Sequence, residues 1–239
     1  MTQMSNKTTT NTIANRLHSA HDNINQACKN SSRSSSSVQL MAVSKTKPVT
    51  AIQQAYDAGQ RIFGENYAQE LAQKAEHFRE NTDIEWHYIG PIQSNKTALL
   101  CSSCNWIDSV DRAKIADRLN RHAEALGKRL NVLIQVNVSR SEQKSGVVVE
   151  ELAALAQHIL RLPHLRLRGL MAIPDQYPDE NRTKAEFNAM QTCFNELKQQ
   201  YPEVDTLSLG MSGDLDLAIA SGSTLVRIGT AIFGEREAK

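Results

Sequence analysis

Lys45 follows directly on an apolar run, Val38–Val43, in the segment Ser44-Lys45-Thr46-Lys47-Pro48. A lysine there is either a solvated side chain entering a loop or a desolvated amine able to form a Schiff base with an aldehyde. Lys47 has the same strand parity, and composition does not choose between the two. A second cluster lies near the other end of the chain, where Gly210, Ser212, Gly213, Gly229 and Thr230 follow two short apolar runs. Ser212 can serve simply as the cap of a helix beginning near Asp214. It can also join glycine-accessed backbone N–H groups and Thr230 in holding a phosphate. Arg227 stands between these groups on a strand pattern, sharing a face with Leu225 and Gly229 while Val226 and Ile228 share the other. A buried arginine needs a partner, which is either a structural ion pair or a ligand.

These residues need elements to position them. Thr12–Lys29 reads as an amphipathic helix, with Ile13, Leu17, Ile24 and Cys28 near one face. A serine-rich loop, Ser31–Ser37, follows. Eight short apolar runs then alternate with helical patterns, namely Val38–Val43, Arg61–Phe63, Ile84–Ile89, Trp106–Ile107, Val132–Val138, Leu165–Leu170, Thr206–Leu209 and Leu225–Ile228. Alternating βα units demand a parallel sheet. Eight in this length predict a closed barrel, with a doubly wound open sheet as the rival. In a barrel the strand ends and the following loops carry function, and loops seven and eight are where a phosphate usually sits. The polar and glycine residues above fall at those junctions. His87, near the end of the third strand, either faces the site or packs in the core.

The bulk properties bound the rest. A chain of 239 residues with 40% hydrophobic residues suits one large domain. A formal charge of +1, with basic residues scattered, gives no global field toward nucleic acid or an acidic membrane. No stretch approaches the roughly 18 apolar residues of a membrane span. Met1–Thr12 is polar, without the apolar core of a secretory signal and only faintly like a transit peptide. Four cysteines do not make a disulfide framework in a chain this long, so a reduced, cytoplasmic setting is expected. Cys101-Ser-Ser-Cys104 has redox or zinc spacing, but no second pair supplies further zinc ligands. GxxxxGK[ST], GxGxxG and HExxH are absent, and Gly210-Met211-Ser212-Gly213 is not a nucleophile elbow.

Taken together the junctions resemble one family. Ala42-Val43-Ser44-Lys45-Thr46-Lys47-Pro48, Phe63-Gly64-Glu65-Asn66-Tyr67, His87–Lys96, Lys144-Ser145-Gly146, Leu170-Met171, Met211–Asp214 and Val226–Gly234 look like the pyridoxal phosphate homeostasis protein family (YggS/PROSC), similar in fold to the barrel of alanine racemase. The likeness runs from about Ile13 to Arg236. It implies an α/β fold, a single (β/α)8 barrel with an extra N-terminal helix, spanning 13–236; the polar stretch 1–12, read from its composition as a disordered tail, falls outside the likeness. It also implies pyridoxal 5′-phosphate as cofactor, with Lys45 carrying the internal aldimine and Asn66 near the ring. Ser212, Gly229 and Thr230 would hold the phosphate, Arg227 would face the pyridine nitrogen, and Met211 would line the site.

That assignment favours a cofactor holder over an enzyme. An arginine at the ring nitrogen disfavours its protonation and leaves a weak electron sink. The chain ends soon after the last strand, so the second domain and opposing base of alanine racemase are not expected. The expected role is buffering cofactor or delivering it to apo-enzymes, as a cytoplasmic monomer without nucleic-acid or membrane partners. The rival is a small pyridoxal-phosphate-dependent amino-acid racemase.

Overall fold

The computed structural model describes residues 12–175, 177 and 179–235. The tail assigned to 1–12 therefore lies, apart from Thr12, outside the described residues. The chain runs α1 (Ile13–Asn30), β1 (Gln39–Val43), α2 (Val49–Asp57), β2 (Ile62–Glu65), α3 (Ala68–His77), β3 (Glu85–Tyr88), α4 (Thr97–Ser103), β4 (Trp106–Val110), α5 (Ala113–Ala125) and β5 (Leu130–Gln135). It continues through α6 (Val149–Leu160), β6 (Leu165–Met171), α7 (Glu180–Gln200), β7 (Thr206–Ser208), α8 (Leu215–Ala220), β8 (Leu225–Ile228) and α9 (Thr230–Phe233). All strands are parallel and neighbour one another in chain order, and β8 pairs back onto β1 to close the barrel. This is the (β/α)8 barrel with an extra N-terminal helix.

Helix spacing explains the outer layer. In α5, Ile115, Ala116, Leu119 and Ala123 recur every three or four residues, and all are buried. Thr12 caps α1, its hydroxyl accepting from Asn15 N at 3.2 Å. The buried stripe of α1, including Leu17, Ile24 and Cys28, packs on α8 and α9. The strands are buried on both faces. Val132, Ile134 and Leu170 join the main core beneath the helices, while their neighbours Leu133 and Met171 cluster with Trp106 inside the barrel.

The apolar run Trp106–Ile107 marks only the start of β4, which continues to Val110 through two buried polar residues. Asp108 is paired with His87, and Ser109 Oγ donates to Gly90 O at 2.6 Å. Satisfied polar groups allow a buried strand that a hydrophobicity pattern truncates.

Strands β6 and β7 pair Gly169 with Thr206, and a Cβ on Gly169 would lie 1.7 Å from Thr206 O. Backbone cannot yield there without breaking the ladder. Gly169→Ala is expected to destabilise the barrel by at least about 2 kcal/mol, read as a lowered urea midpoint with the slope retained. An unchanged midpoint would show that the two strands separate freely at this point.

Candidate functional site at the barrel mouth

The β1–β8 pairing joins residues far apart in sequence. Met41 pairs with Arg227 and Ala42 with Ile228. One step further on, a Cβ on Gly229 would lie 3.2 Å from Val43 O, so glycine lets loop eight approach the end of β1. Lys45 follows two residues after Val43, half-buried, in a turn closed by Lys47 N donating to Ser44 O at 3.0 Å. Strand parity ends in that turn, because Thr46 has a positive φ of 64°. Lys47 consequently leaves the shared face, and its Nζ donates to Glu235 O at 2.6 Å. The turn separates two lysines that alternation had left equivalent.

Loops seven and eight present donors. Ser212 and Thr230 are exposed, and the backbone N–H groups of Ser212, Gly213, Thr230 and Ala231 donate to nothing else among the described residues. Such N–H groups attract an anion. Ser212 does not cap the following helix, contrary to the simpler sequence reading. Asp214 occupies the N-cap position of α8 and accepts from Met211 N at 2.6 Å through Oδ1. The shorter turn made by the aspartate leaves the Ser212 hydroxyl available.

Arg227 points into the barrel and is 4% exposed. Its Nη1 donates to Ser208 O at 2.8 Å and Ser208 Oγ at 2.7 Å, and its Nη2 donates to Ala172 O at 2.9 Å. Three of five N–H donors are thus used, and two remain. No carboxylate lies within ion-pair distance of it among the described residues, so it is not a structural ion pair. Burial lowers its pKa to about 10, opposed by the more distant charges of Asp108 and Asp214, so it stays protonated at neutral pH.

Two cavities open at this end of the barrel. One of about 280 Å3 is lined by Asn66, Ile89, Gln135, Asn137, Lys144 and Ile173, among others. Asn66 Oδ1 is buried without a hydrogen-bond partner, an acceptor available to a ligand. The other, of about 930 Å3, runs along Met211, Ser212, Gly213 and Asp214 toward Asp175 and Tyr177. Asn66 lines the first cavity and Met211 and Ser212 the second. Lys45, Arg227, Gly229 and Thr230 wall neither; Arg227 and Gly229 lie along the β1–β8 seam, and Lys45 and Thr230 follow it in the loops beyond.

Sequence reasoning missed the charged floor beneath this mouth. His87 is buried, with Nδ1 3.0 Å from both Asp108 oxygens and Nε2 3.2 Å from Glu85 Oε1. Its ring stacks on Trp106 at 4.7 Å, and Arg168 lies over the other ring of that pair at 4.8 Å from the Trp106 centroid. Burial alone would lower the His87 pKa, but the Asp108 charge and hydrogen bond, reinforced by Glu85, raise it to about 9. The spacing of Trp106 and Asp108, two apart on one strand, was the signal available in the sequence.

The cysteine pair is structural. Cys101 Sγ contacts Leu119 O at 3.6 Å and Cys104 Sγ contacts Leu100 O at 3.3 Å. Burial raises their pKa values to about 11 and about 12, away from thiolate chemistry. Among the described residues no group of three or more His, Cys, Asp or Glu side chains could hold a metal, and no helix is long and apolar enough to cross a membrane.

A parallel barrel closed on itself, with a turn lysine at one end of its seam and anion-ready loops beside it, has the alanine racemase type of architecture. The family model for the alanine racemase N-terminal domain matches residues 16–237. The chain is 51% identical over 229 residues to the pyridoxal phosphate homeostasis protein of Haemophilus influenzae, covering 94% of this chain and 96% of that one. It is 46% identical over 227 residues to the protein of that name from Pseudomonas aeruginosa, covering 95% and 96%. The chain belongs to the pyridoxal phosphate homeostasis protein family. PipY of Synechococcus elongatus PCC7942, solved with pyridoxal phosphate bound, superposes with a TM-score of 0.80 at 38% identity, covering 93% of this chain and all of that one. Alanine racemase of Clostridium difficile 630 shares the fold at 13% identity and a TM-score of 0.74, covering 94% of this chain and 58% of that one.

The His87 floor makes stability depend on pH. A histidine whose folded pKa is raised to about 9 stabilises the fold fully below its unfolded value of about 6.5, and that contribution is lost as pH rises through about 9. Urea unfolding should show a loss of roughly 1–3 kcal/mol between those limits. In His87→Gln the decline over that window should flatten. A wild-type midpoint constant from pH 6 to pH 10 would contradict a charged His87.

Proposed function

We propose that the chain binds pyridoxal 5′-phosphate at the barrel mouth and serves its homeostasis, holding and releasing the cofactor without turning over a substrate. The observation carrying this reading is the β1–β8 closure, which sets loop eight, with its open backbone N–H groups, at the end of the strand leading to Lys45 and puts a buried Arg227 with donors to spare on the same seam. The residues present fit the group: the unpartnered Asn66 Oδ1 and the open N–H groups of loops seven and eight are what a ring substituent and a phosphate require. When bound, the cofactor supplies an aldehyde, which an amine captures with loss of water, and an electron-withdrawing ring.

Each residue then has a task. Lys45 is the amine that forms the lysine Schiff base. Ser212 and Thr230 donate hydroxyls to the phosphate, with Gly229 admitting it close to the backbone. Asn66 lies toward the ring and Met211 lines the site. Arg227 would donate to the ring nitrogen, and its fixed charge would disfavour a proton on that atom. A ring held in that state withdraws electrons weakly, which suits storage better than carbanion chemistry. The exposure of Ser212 and Thr230 lets water and competing amines reach the site. The reading includes release to apo-enzymes in the cytoplasm by a monomeric carrier. Relatives named for homeostasis support it; the likeness to alanine racemase, at 13% identity, supports only the barrel.

Borohydride reduction of loaded protein followed by peptide mapping should tag Lys45, and Lys45→Ala should lose the visible absorbance while keeping the fold. A tag on Lys47 or Lys144 instead would overturn the assignment. Losing both Ser212 and Thr230 hydroxyls, each worth about 1.5–3 kcal/mol against a dianion, should weaken binding well over tenfold. Equal affinity for pyridoxal and its phosphate would refute a phosphate cup in these loops. Loaded protein should restore activity to an apo pyridoxal phosphate enzyme while showing no amino-acid turnover above free cofactor. Racemisation or deamination at ordinary enzyme rates, lost in Lys45→Ala, would make the chain an enzyme.

A further inference from the structure

The turn carrying Lys45 is held from behind by charges that the site itself does not use. Lys74, on α3, is 4% exposed, and its Nζ donates to Ser44 O at 2.8 Å, Glu65 Oε1 at 2.7 Å and Glu70 Oε1 at 2.6 Å. All three ammonium hydrogens are thereby engaged. Ser44 Oγ donates to the same Glu65 oxygen at 2.6 Å, and Ser44 N donates to Gly64 O at 3.0 Å. On the other side of Lys45, Thr46 N donates to Glu70 Oε1 at 2.6 Å. Both flanking residues are therefore tied to one ion cluster, and Lys45 is the residue between them.

Thr46 adds a second, independent sign. Its φ of 64° is left-handed, a region that β-branched residues rarely enter and that strains the backbone. Strain of this kind persists only where the surroundings enforce it, and the bond from Thr46 N to Glu70 is the enforcing contact. The cost of burying Lys74 and Glu65 argues the same way. A buried ion pair contributes little net stability, and its use lies in fixing geometry.

We propose that Glu70 and Lys74, with Glu65, are positioning residues that hold the Ser44–Thr46 turn so that Lys45, and not Lys47, presents its amine to an aldehyde-bearing ligand. The proposal rests on Lys45 being the reactive amine. A misplacement near 1 Å can cost about a hundredfold in an oriented reaction, so a loosened turn has room to show.

The test compares two ligands on the full chain. Pyridoxal 5′-phosphate can bond to lysine, whereas pyridoxine 5′-phosphate carries the same ring and phosphate but an alcohol in place of the aldehyde. Glu70→Ala removes the acceptor of Thr46 N, and should weaken pyridoxal 5′-phosphate at least about tenfold with pyridoxine 5′-phosphate binding unchanged. Glu70→Gln keeps an oxygen for Thr46 N and should recover affinity to within about threefold of wild type. Ser44→Ala, which removes one tie and leaves the ion cluster, should show a smaller loss confined to the aldehyde ligand, and serves if Glu70→Ala does not fold. Equal weakening of both ligands, or no weakening of either, overturns the positioning role. Borohydride tagging of the wild type separates the two ideas: no tag at Lys45 refutes the amine assignment, while a Lys45 tag with unselective variants refutes only the clamp.

Discussion

Closing β8 onto β1 is the constraint from which the rest of this molecule follows. The pairing is short, running from Gln39–Ala42 against Leu225–Ile228, yet it joins the first and last strands of the domain. It removes the two exposed edges that an open eight-stranded sheet would carry. It also brings loop eight beside the turn after β1, with Val43 O and Gly229 close enough that any side chain would crowd them. A lysine and a set of backbone donors separated by nearly the whole chain thereby become neighbours. Non-local pairing of this kind carries a large loop-closure entropy, which the contacts of the intervening units must offset.

Inside the barrel the charges are arranged to satisfy one another. Arg227 is held by a hydroxyl and two carbonyls, and His87 sits between Asp108 and Glu85 with Trp106 against its ring. Removing any one member would strand the others in a low-dielectric interior, which costs more than the pair contributes. Outside the barrel wall, Lys74 performs the same service for Glu65, Glu70 and Ser44 O. Polar groups buried on both sides of β2 and its neighbours are thus tied into hydrogen-bond networks below an open rim. A hydrogen-bonded floor under an exposed mouth suits a site that must orient a ligand and still let it leave.

Much of this was legible beforehand. The eight βα units, the extra N-terminal helix and the face of β8 that carries Arg227 follow from alternation and from helical spacing, because burial imposes those periods directly on residue type. The placement of Lys45, Asn66, Ser212, Gly229 and Thr230 just after strand ends was equally visible, since the residues that end each apolar run can be read from the pattern. Asp108 and Ser109 concealed the second half of β4, because a hydrophobicity pattern has no means of knowing that a buried carboxylate has a histidine partner on the next strand.

What tertiary structure alone decided concerns direction and partnership. Lys45 and Lys47 are indistinguishable by parity, and only the left-handed turn at Thr46 separates them, sending Lys47 to Glu235 O. Ser212 reads as a helix cap until Asp214 is seen accepting from Met211 N in its place. Nothing in the sequence pattern singles out Glu70 and Lys74 on α3, and only the folded structure brings both to the turn before it. The sequence thus determined the periodic elements and the kinds of chemistry available, because those depend on each residue's own solvation and backbone preference. Which group meets which depends on contacts between residues remote in the chain, and these exist only once the barrel has closed.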